Sequence, residues 1–326
     1  MRMRWVLTYK DTGAAKARLV LIGFEDPDLD RIVSASPTMC RRTRQLMLQA
    51  SIQQGWQPVK GDIKSAFLQG QASQTTRNVF AWPVPELARA LGVPEGRAVQ
   101  VRKACYGLVN APAEFYRTVD KTLLDAGFER LITDPCAWRL RRGTQILGLV
   151  TAHVDDFLIA GCESDPAWMS ALQVFYDRFR WSPWEHSKFL HCGVELECKE
   201  AGIFMHHDKY CETLKQVDVP ATMKDDEAAN PGQVTELRAL LGAAQWRAYN
   251  TAPQHQAKVG LLLSQVAKAT GKVLREANKL CREMHQGRFL SVNVHRLPHV
   301  KVEEVQFVCW TDAAVANRHD LASTGA

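Results

Sequence analysis

Ile146-Leu147-Gly148-Leu149-Val150-Thr151-Ala152-His153-Val154-Asp155-Asp156-Phe157-Leu158-Ile159-Ala160 is an apolar run interrupted by one acidic pair. The spacing predicts a β-hairpin of two buried strands, 146–154 and 157–160, with Asp155-Asp156 as its turn. Adjacent aspartates at a buried tip repel each other and lose hydration, so they stay ionised only beside a compensating cation. Magnesium bridging phosphate oxygens is such a cation, because its sites use one or two carboxylates plus substrate oxygens. Seen alone, the pair reads as a solvent-exposed turn, where Asp is common.

A second segment changes that reading. Val59-Lys60-Gly61-Asp62-Ile63-Lys64-Ser65-Ala66-Phe67-Leu68 places Asp62 at the end of a strand, 57–63, ahead of a small-residue turn and an aromatic. An acidic strand end beside an acidic hairpin suits two-metal phosphoryl transfer. One ion activates an attacking 3′-hydroxyl and the other steadies the leaving pyrophosphate. The competing role for Asp62 is a helix N-cap.

Further out, Trp5–Tyr9 and Ala17–Ile22 read as strands joined by the turn Asp11-Thr12-Gly13. Residues 41–54 read as a helix stopped by Gly55, and 99–103 as a strand. Residues 113–126 form an amphipathic helix with Phe115, Val119, Leu123 and Leu124 on one face. A helix over 165–180 follows, then a hairpin of 190–197 and 203–205 around Ala201-Gly202. From Gln233 the pattern is helical, with 261–274 as a later segment, and a last strand over 305–310 leads to Asp312. Strands and helices do not strictly alternate, so the expected class is α+β.

Bulk properties bound the function. A chain of 326 residues holds two or three subdomains, and 46% apolar with 23% charged residues excludes a disordered polymer. The net charge of +6 fits a nucleic-acid partner without requiring one. The 9 cysteines are odd in number and lack C-x-x-C spacing, which argues against zinc or a disulfide framework and for a reducing compartment. Cys192 and Cys198 bracket an apolar run and are expected in the core. Met1–Trp5 is basic, but no apolar run of signal-peptide length follows it, and the longest apolar stretch, 146–153, is too short to span a bilayer. The expectation is a non-secreted protein with no membrane partner.

With both acidic segments in view, the chain resembles the reverse transcriptase of copia-type long-terminal-repeat retrotransposons, from about Trp5 to Leu263. Lys16-Ala17-Arg18-Leu19-Val20 with Gly23-Phe24 resembles the family's KARLVARGF segment, which implies that Lys16 and Arg18 touch the incoming triphosphate. A spacing of two also puts both cations on one strand face, as phosphate binding requires. Ser36-Pro37-Thr38 matches a structural marker, and 62–70 resembles D-V-K-T-A-F-L-N-G. That match implies Asp62 as a metal ligand, Ile63 beside the nucleotide, and Phe67 as a steric gate that excludes a 2′-hydroxyl.

Residues 103–112 resemble K-S-L-Y-G-L-K-Q-A-P, which implies that Gly107 and Asn110 shape the nucleotide pocket, with Asn110 replacing the family's Gln. His153-Val154-Asp155-Asp156 resembles the Y-V-D-D box, with His for Tyr. Residues 189–196 resemble F-L-G-I-E-I with two residues added, and 236–242 resemble a thumb or connection segment. Thr251-Ala252-Pro253-Gln254 departs from T-R-P-D. Cys309-Trp310-Thr311-Asp312-Ala313 resembles the first strand of a ribonuclease H domain, with Asp312 as its first ligand and its partners beyond Ala326.

The resemblance implies a right-hand polymerase fold: fingers and palm over 1–222, a partial helical thumb or connection over 223–300, and a truncated ribonuclease H-like start over 301–326. It implies RNA-directed DNA polymerisation on two magnesium ions, with manganese as a substitute, held by Asp62, Asp155 and Asp156. The implied partners are an RNA or DNA template with primer and deoxynucleoside triphosphates, in the cytoplasm (in virus-like particles) or the nucleus. Oligomeric state stays open. The departures at Asn110, His153 and Gln254 motivate an alternative, a decayed Pol fragment that binds nucleic acid without catalysis.

Overall fold

The computed structural model describes residues 1–9, 13–70, 78–298, 313–314 and 324–325. The expected strand at 305–310 and Asp312 lie outside the described residues. The chain divides into two compact units, Met1–Ser187 and Lys188–Ala326.

In the first unit, β1 (Met3–Tyr9) and β2 (Ala15–Leu21) pair as an antiparallel ribbon. Next come α1 (Arg41–Gln54), β3 (Val59–Asp62), α2 (Ala66–Gln69), β4 (Val79–Ala81), α3 (Pro85–Leu91) and β5 (Val99–Val101). They are followed by α4 (Ala111–Asp125), β6 (Glu129–Arg130), β7 (Ala137–Arg142), β8 (Gln145–His153), β9 (Asp156–Gly161), α5 (Pro166–Arg178) and β10 (Glu185–His186). Six strands form one antiparallel sheet in the order β10-β3-β9-β8-β7-β6. The apolar hairpin read from the sequence supplies its two central strands.

Both faces of that hairpin are covered, which is why it lacks alternation. Val150, Ala152, Phe157 and Ile159 point to one face, where they join Phe115, Val119 and Leu123 of α4 and Trp168, Leu172 and Phe175 of α5. Thr151 points to the other face, where its hydroxyl donates to Met47 Sδ of α1 at 3.2 Å. Gly148 and Gly161 are register partners on β8 and β9. A Cβ on either would lie 2.3 Å or 2.2 Å from the Trp168 ring, so this glycine pair is the slot that seats the indole. Burying such a side chain contributes roughly 2–3 kcal/mol.

α1 is anchored from outside itself. Asp134, 3% exposed, accepts from Cys40 N at 2.9 Å, Thr43 Oγ1 at 2.6 Å and Cys136 N at 2.9 Å. Those donors hold its carboxyl below the usual carboxylate range although burial acts in the opposite direction.

The second unit contains β11 (Lys188–His191), β12 (Val194–Lys199), β13 (Gly202–His206), α6 (Asp208–Glu212), α7 (Pro231–Asn250), α8 (Gln256–Leu263), α9 (Gly271–Gln286) and β14 (Val292–Val294). The strands β11 to β14 form an antiparallel sheet in that order. α7, α8 and α9 share a core that includes Leu237, Leu241, Val259, Leu274, Leu280 and Met284. Asn230 opens α7 with a reciprocal capping box to Gln233. Further on, the short strands β15 (Ala313–Ala314) and β16 (Thr324–Gly325) pair.

Several sequence readings need correction. The hairpin turn is Val154-Asp155, and Asp156 already belongs to β9, because His153 and Asp156 pair directly. The run 190–197 is two strands split by Cys192-Gly193, both at positive φ (48° and 73°), as a tight hairpin turn demands. Cys192 and Cys198 are half-buried rather than core, Cys192 in that turn and Cys198 near the opposite end of β12. Leu124 is exposed while Phe115, Val119 and Leu123 are buried. The segment 261–274 is interrupted by a 3₁₀ turn at Val266–Lys268 before α9 begins. The fold is mixed α and β with antiparallel sheets, and among the described residues no helix is long and apolar enough to cross a membrane.

Candidate active site

β3 and β9 are adjacent strands, and their pairing sets Asp62 opposite Asp156. The next pair inward is Gly61 opposite Phe157. Phe157 is fully buried, with ring centroids 5.5 Å from Phe175 and 5.4 Å from Trp181. The acidic pair therefore stands at the end of a rigid aromatic block. Asp155 enters from the turn, and its carbonyl accepts from Ile63 N at 3.2 Å. Asp62, Asp155 and Asp156 thus lie on two neighbouring strand ends.

The turn is strained. Val154 has φ of 63°, a left-handed conformation that β-branched residues avoid. Positive φ at the first central position alone is the II′ hairpin pattern, where glycine is the usual residue. Ser65, just after β3, is also left-handed at φ 50°.

Asp62 and Asp155 line one cavity of about 620 Å³ with Lys16, Arg18, Ile63 and Tyr106. The wall carrying Lys16 and Arg18 comes from β2, so cations face carboxylates within unit one. Burial, and then the charge of Asp62, push the Asp155 carboxyl above its usual range, against its own backbone N–H, Arg18 and His153. Burial alone would lower Lys60, but its 2.6 Å hydrogen bond to Glu185 and the charges of Asp156 and Asp62 hold it above the ordinary lysine value. Asp62 and Asp155 present two carboxylates to one cavity, a donor set that fits a hard divalent cation such as magnesium.

The remaining expected residues, Asp156, Phe67, Gly107 and Asn110, are not among those of its wall. Phe67 is half-buried, with its ring centroid 5.4 Å from Tyr106 and 6.2 Å from Phe115. Gly107 has φ of 92°, and a Cβ there would lie 1.9 Å from Leu21 O. It lets β2 approach closely enough for Leu21 N to donate to Tyr106 O at 2.8 Å. Asn110 sits at the N-cap of α4, where its carbonyl accepts from Glu114 N at 3.0 Å. His153 is half-buried opposite Asp156.

Sequence reading missed Tyr106. Its ring lies 5.7 Å from the Arg18 guanidinium and packs edge-on with Phe67. It thereby links β2 to the Phe67 ring. The signal was present as the Tyr-Gly step of the 103–112 motif.

Comparison with known proteins follows the same lines. The retrovirus-related Pol polyproteins from transposons RE1 and RE2 of Arabidopsis thaliana are 27% and 28% identical to this chain over 269 and 271 residues. Each alignment covers 76% of this chain, which spans 18% of the relative's length. The Pol polyprotein from transposon TNT 1-94 of Nicotiana tabacum is 28% identical over 169 residues, 49% of this chain and 12% of the relative. Residues 1–221, which hold the acidic strand ends, the basic ribbon and the whole cavity, match the family described as reverse transcriptase (RNA-dependent DNA polymerase), and the chain belongs to that family.

Proposed function

We propose that this chain performs RNA-directed DNA polymerisation at the cavity between β2 and the β3–β9 strand ends. The carrying observation is that Asp62 and Asp155 share one cavity with Lys16 and Arg18, while the strand register sets Asp156 opposite Asp62. The 3′-hydroxyl of a primer attacks the α-phosphorus of a deoxynucleoside triphosphate, and the bond to pyrophosphate breaks. Two magnesium ions, with manganese as a substitute, supply charge neutralisation for that exchange when bound. Asp62, Asp155 and Asp156 hold them. Lys16 and Arg18 bind the triphosphate oxygens. Ile63 and Tyr106 shape the wall against the nucleotide, Phe67, edge-on to Tyr106, is the steric gate under the sugar that leaves no room for a 2′-hydroxyl, and Gly107 and Asn110 shape the nucleotide pocket.

In this reading the β1–β2 ribbon belongs to fingers and the six-stranded sheet to a palm, together spanning 1–222. The helices over 223–300 serve as a thumb or connection, and 301–326 begins a ribonuclease H-like domain with Asp312. The partners are template-primer and deoxynucleotides, in virus-like particles or the nucleus. Primer extension on an RNA template tests this reading, with deoxynucleotides and ribonucleotides offered in parallel. Extension is expected with deoxynucleotides only, and Phe67→Ala admits ribonucleotides. Template-primer binding without any incorporation favours a decayed, non-catalytic fragment instead.

A further inference from the structure

Asp62 is flanked on its other side by a segment that the motifs did not single out. Residues 180–186 run antiparallel beside β3. Ser182 N donates to Asp62 O at 2.8 Å, Lys64 N donates to Arg180 O at 2.9 Å, and Ile63 bridges Trp181 between them. Farther along, Glu185 pairs with Lys60 and His186 with Val59. The pairing offset shifts by one residue between these two stretches, so a β-bulge lies at Pro183-Trp184 opposite Gly61. Bulges re-aim side chains and are common next to active sites.

The bulge is fixed by packing. A Cβ at Gly61 would lie 2.3 Å from the Trp184 ring and 2.9 Å from the Trp181 ring, so the two indoles lie directly against the strand beside Asp62. They stack at 4.7 Å, and the Trp181 indole N–H donates to Tyr176 O at 3.1 Å. Gln69 ties the far end. Its amide donates to Lys64 O at 2.6 Å and accepts from Arg180 N at 2.8 Å. On this frame the Ser182 hydroxyl donates to Asp62 Oδ2 at 3.1 Å.

We infer that Ser182 is a positioning residue for the Asp62 carboxylate, orienting it as a cation ligand. The inference rests on the reading of Asp62 as a metal donor. A neutral hydroxyl donor suits the task. It occupies part of one carboxylate oxygen's acceptor capacity and fixes the rotamer while leaving the negative charge intact. Outer partners of ligating carboxylates typically change metal affinity by roughly 10–100-fold when removed.

The test titrates the full chain with Mn²⁺ alone, followed by electron paramagnetic resonance, for wild type, Ser182→Ala, Ser182→Thr and Asp62→Asn. Magnesium dependence of primer extension and thermal unfolding are measured alongside. Ser182→Ala is expected to weaken Mn²⁺ binding and raise the Mg²⁺ requirement by roughly tenfold, with KM for the deoxynucleotide and the unfolding temperature little changed. Ser182→Thr, which keeps the hydroxyl, is expected to restore both. Equal Mn²⁺ binding by wild type and Ser182→Ala overturns the assignment. So does a loss in Ser182→Ala that appears only as lower thermal stability. If Asp62→Asn leaves Mn²⁺ binding unchanged, both this assignment and the metal role of Asp62 fall. Binding that depends on Asp62 and Ser182 in a chain that incorporates no nucleotide upholds this assignment and removes the polymerase reading.

Discussion

At the scale of single residues, the two strongest statements concern Val154 and Tyr106. A left-handed β-branched residue costs about 1–3 kcal/mol, against about 0.5–1 kcal/mol for the extra freedom of a glycine. Val154→Gly is therefore expected to stabilise the chain by about 1 kcal/mol, raising the melting temperature by about 2–4 °C in a unit of this size. Unchanged or lower stability in a thermal melt counts against the strain reading. Tyr106→Ala removes the ring shared by Arg18 and Phe67, and KM for the incoming nucleotide is expected to rise about tenfold, roughly 1.4 kcal/mol, with a smaller fall in kcat. Tyr106→Phe keeps the ring and is expected to stay within about twofold. The acidic strand ends and the alternating cations of β2 were legible as local patterns, and the structure places Asp62, Asp155, Lys16 and Arg18 on one cavity. Tyr106 was not, because an aromatic in a mixed motif does not show which cavity it lines until β2 is brought against it.

At the scale of elements, α1 depends on a residue 91 positions from its first turn, the separation of Thr43 and Asp134. Asp134→Ala leaves Cys40 N, Thr43 Oγ1 and Cys136 N without their carboxylate and is expected to cost about 3 kcal/mol. Because its folded-state pKa is depressed, the stabilisation from Asp134 is complete above the unfolded value of about 3.9. It is lost as pH falls through the lower, folded-state pKa. Unfolding free energy measured between pH 6 and pH 2 is expected to fall less steeply in Asp134→Asn than in wild type. Identical slopes would contradict the role. Element types were legible wherever periodicity ran long, as in α1 and α4. Boundaries failed where a turn was carried by an unusual residue: Val154 at the β8–β9 tip and Cys192 between β11 and β12. Neither valine nor cysteine announces a positive φ. The bulge at Pro183-Trp184 was equally silent, since it exists only against Gly61.

At the scale of the whole molecule, the sequence grouped residues by motif, whereas contacts group them by sheet. The strand following Ser187 pairs onward through β13 to β14 at Val292–Val294, so the boundary between compact units along the chain falls after Ser187, while the motif-based division lies at 222. No local pattern reveals a pairing that spans almost a hundred residues. The functional account nevertheless rests within the first unit, which holds the cavity and lies wholly inside the matched span of residues 1–221. Its central claim is that Asp62, Asp155 and Asp156 hold the cations for RNA-templated DNA synthesis. The most direct measurement is single-nucleotide incorporation on an RNA template with Mg²⁺, comparing wild type with Asp62→Asn, Asp155→Asn and Asp156→Asn, with template-primer binding and thermal unfolding followed in parallel. The account predicts that each variant loses incorporation by on the order of 10³-fold, about 4 kcal/mol, while remaining folded and binding template-primer. Incorporation that survives in any one of these variants, or that wild type lacks, contradicts it.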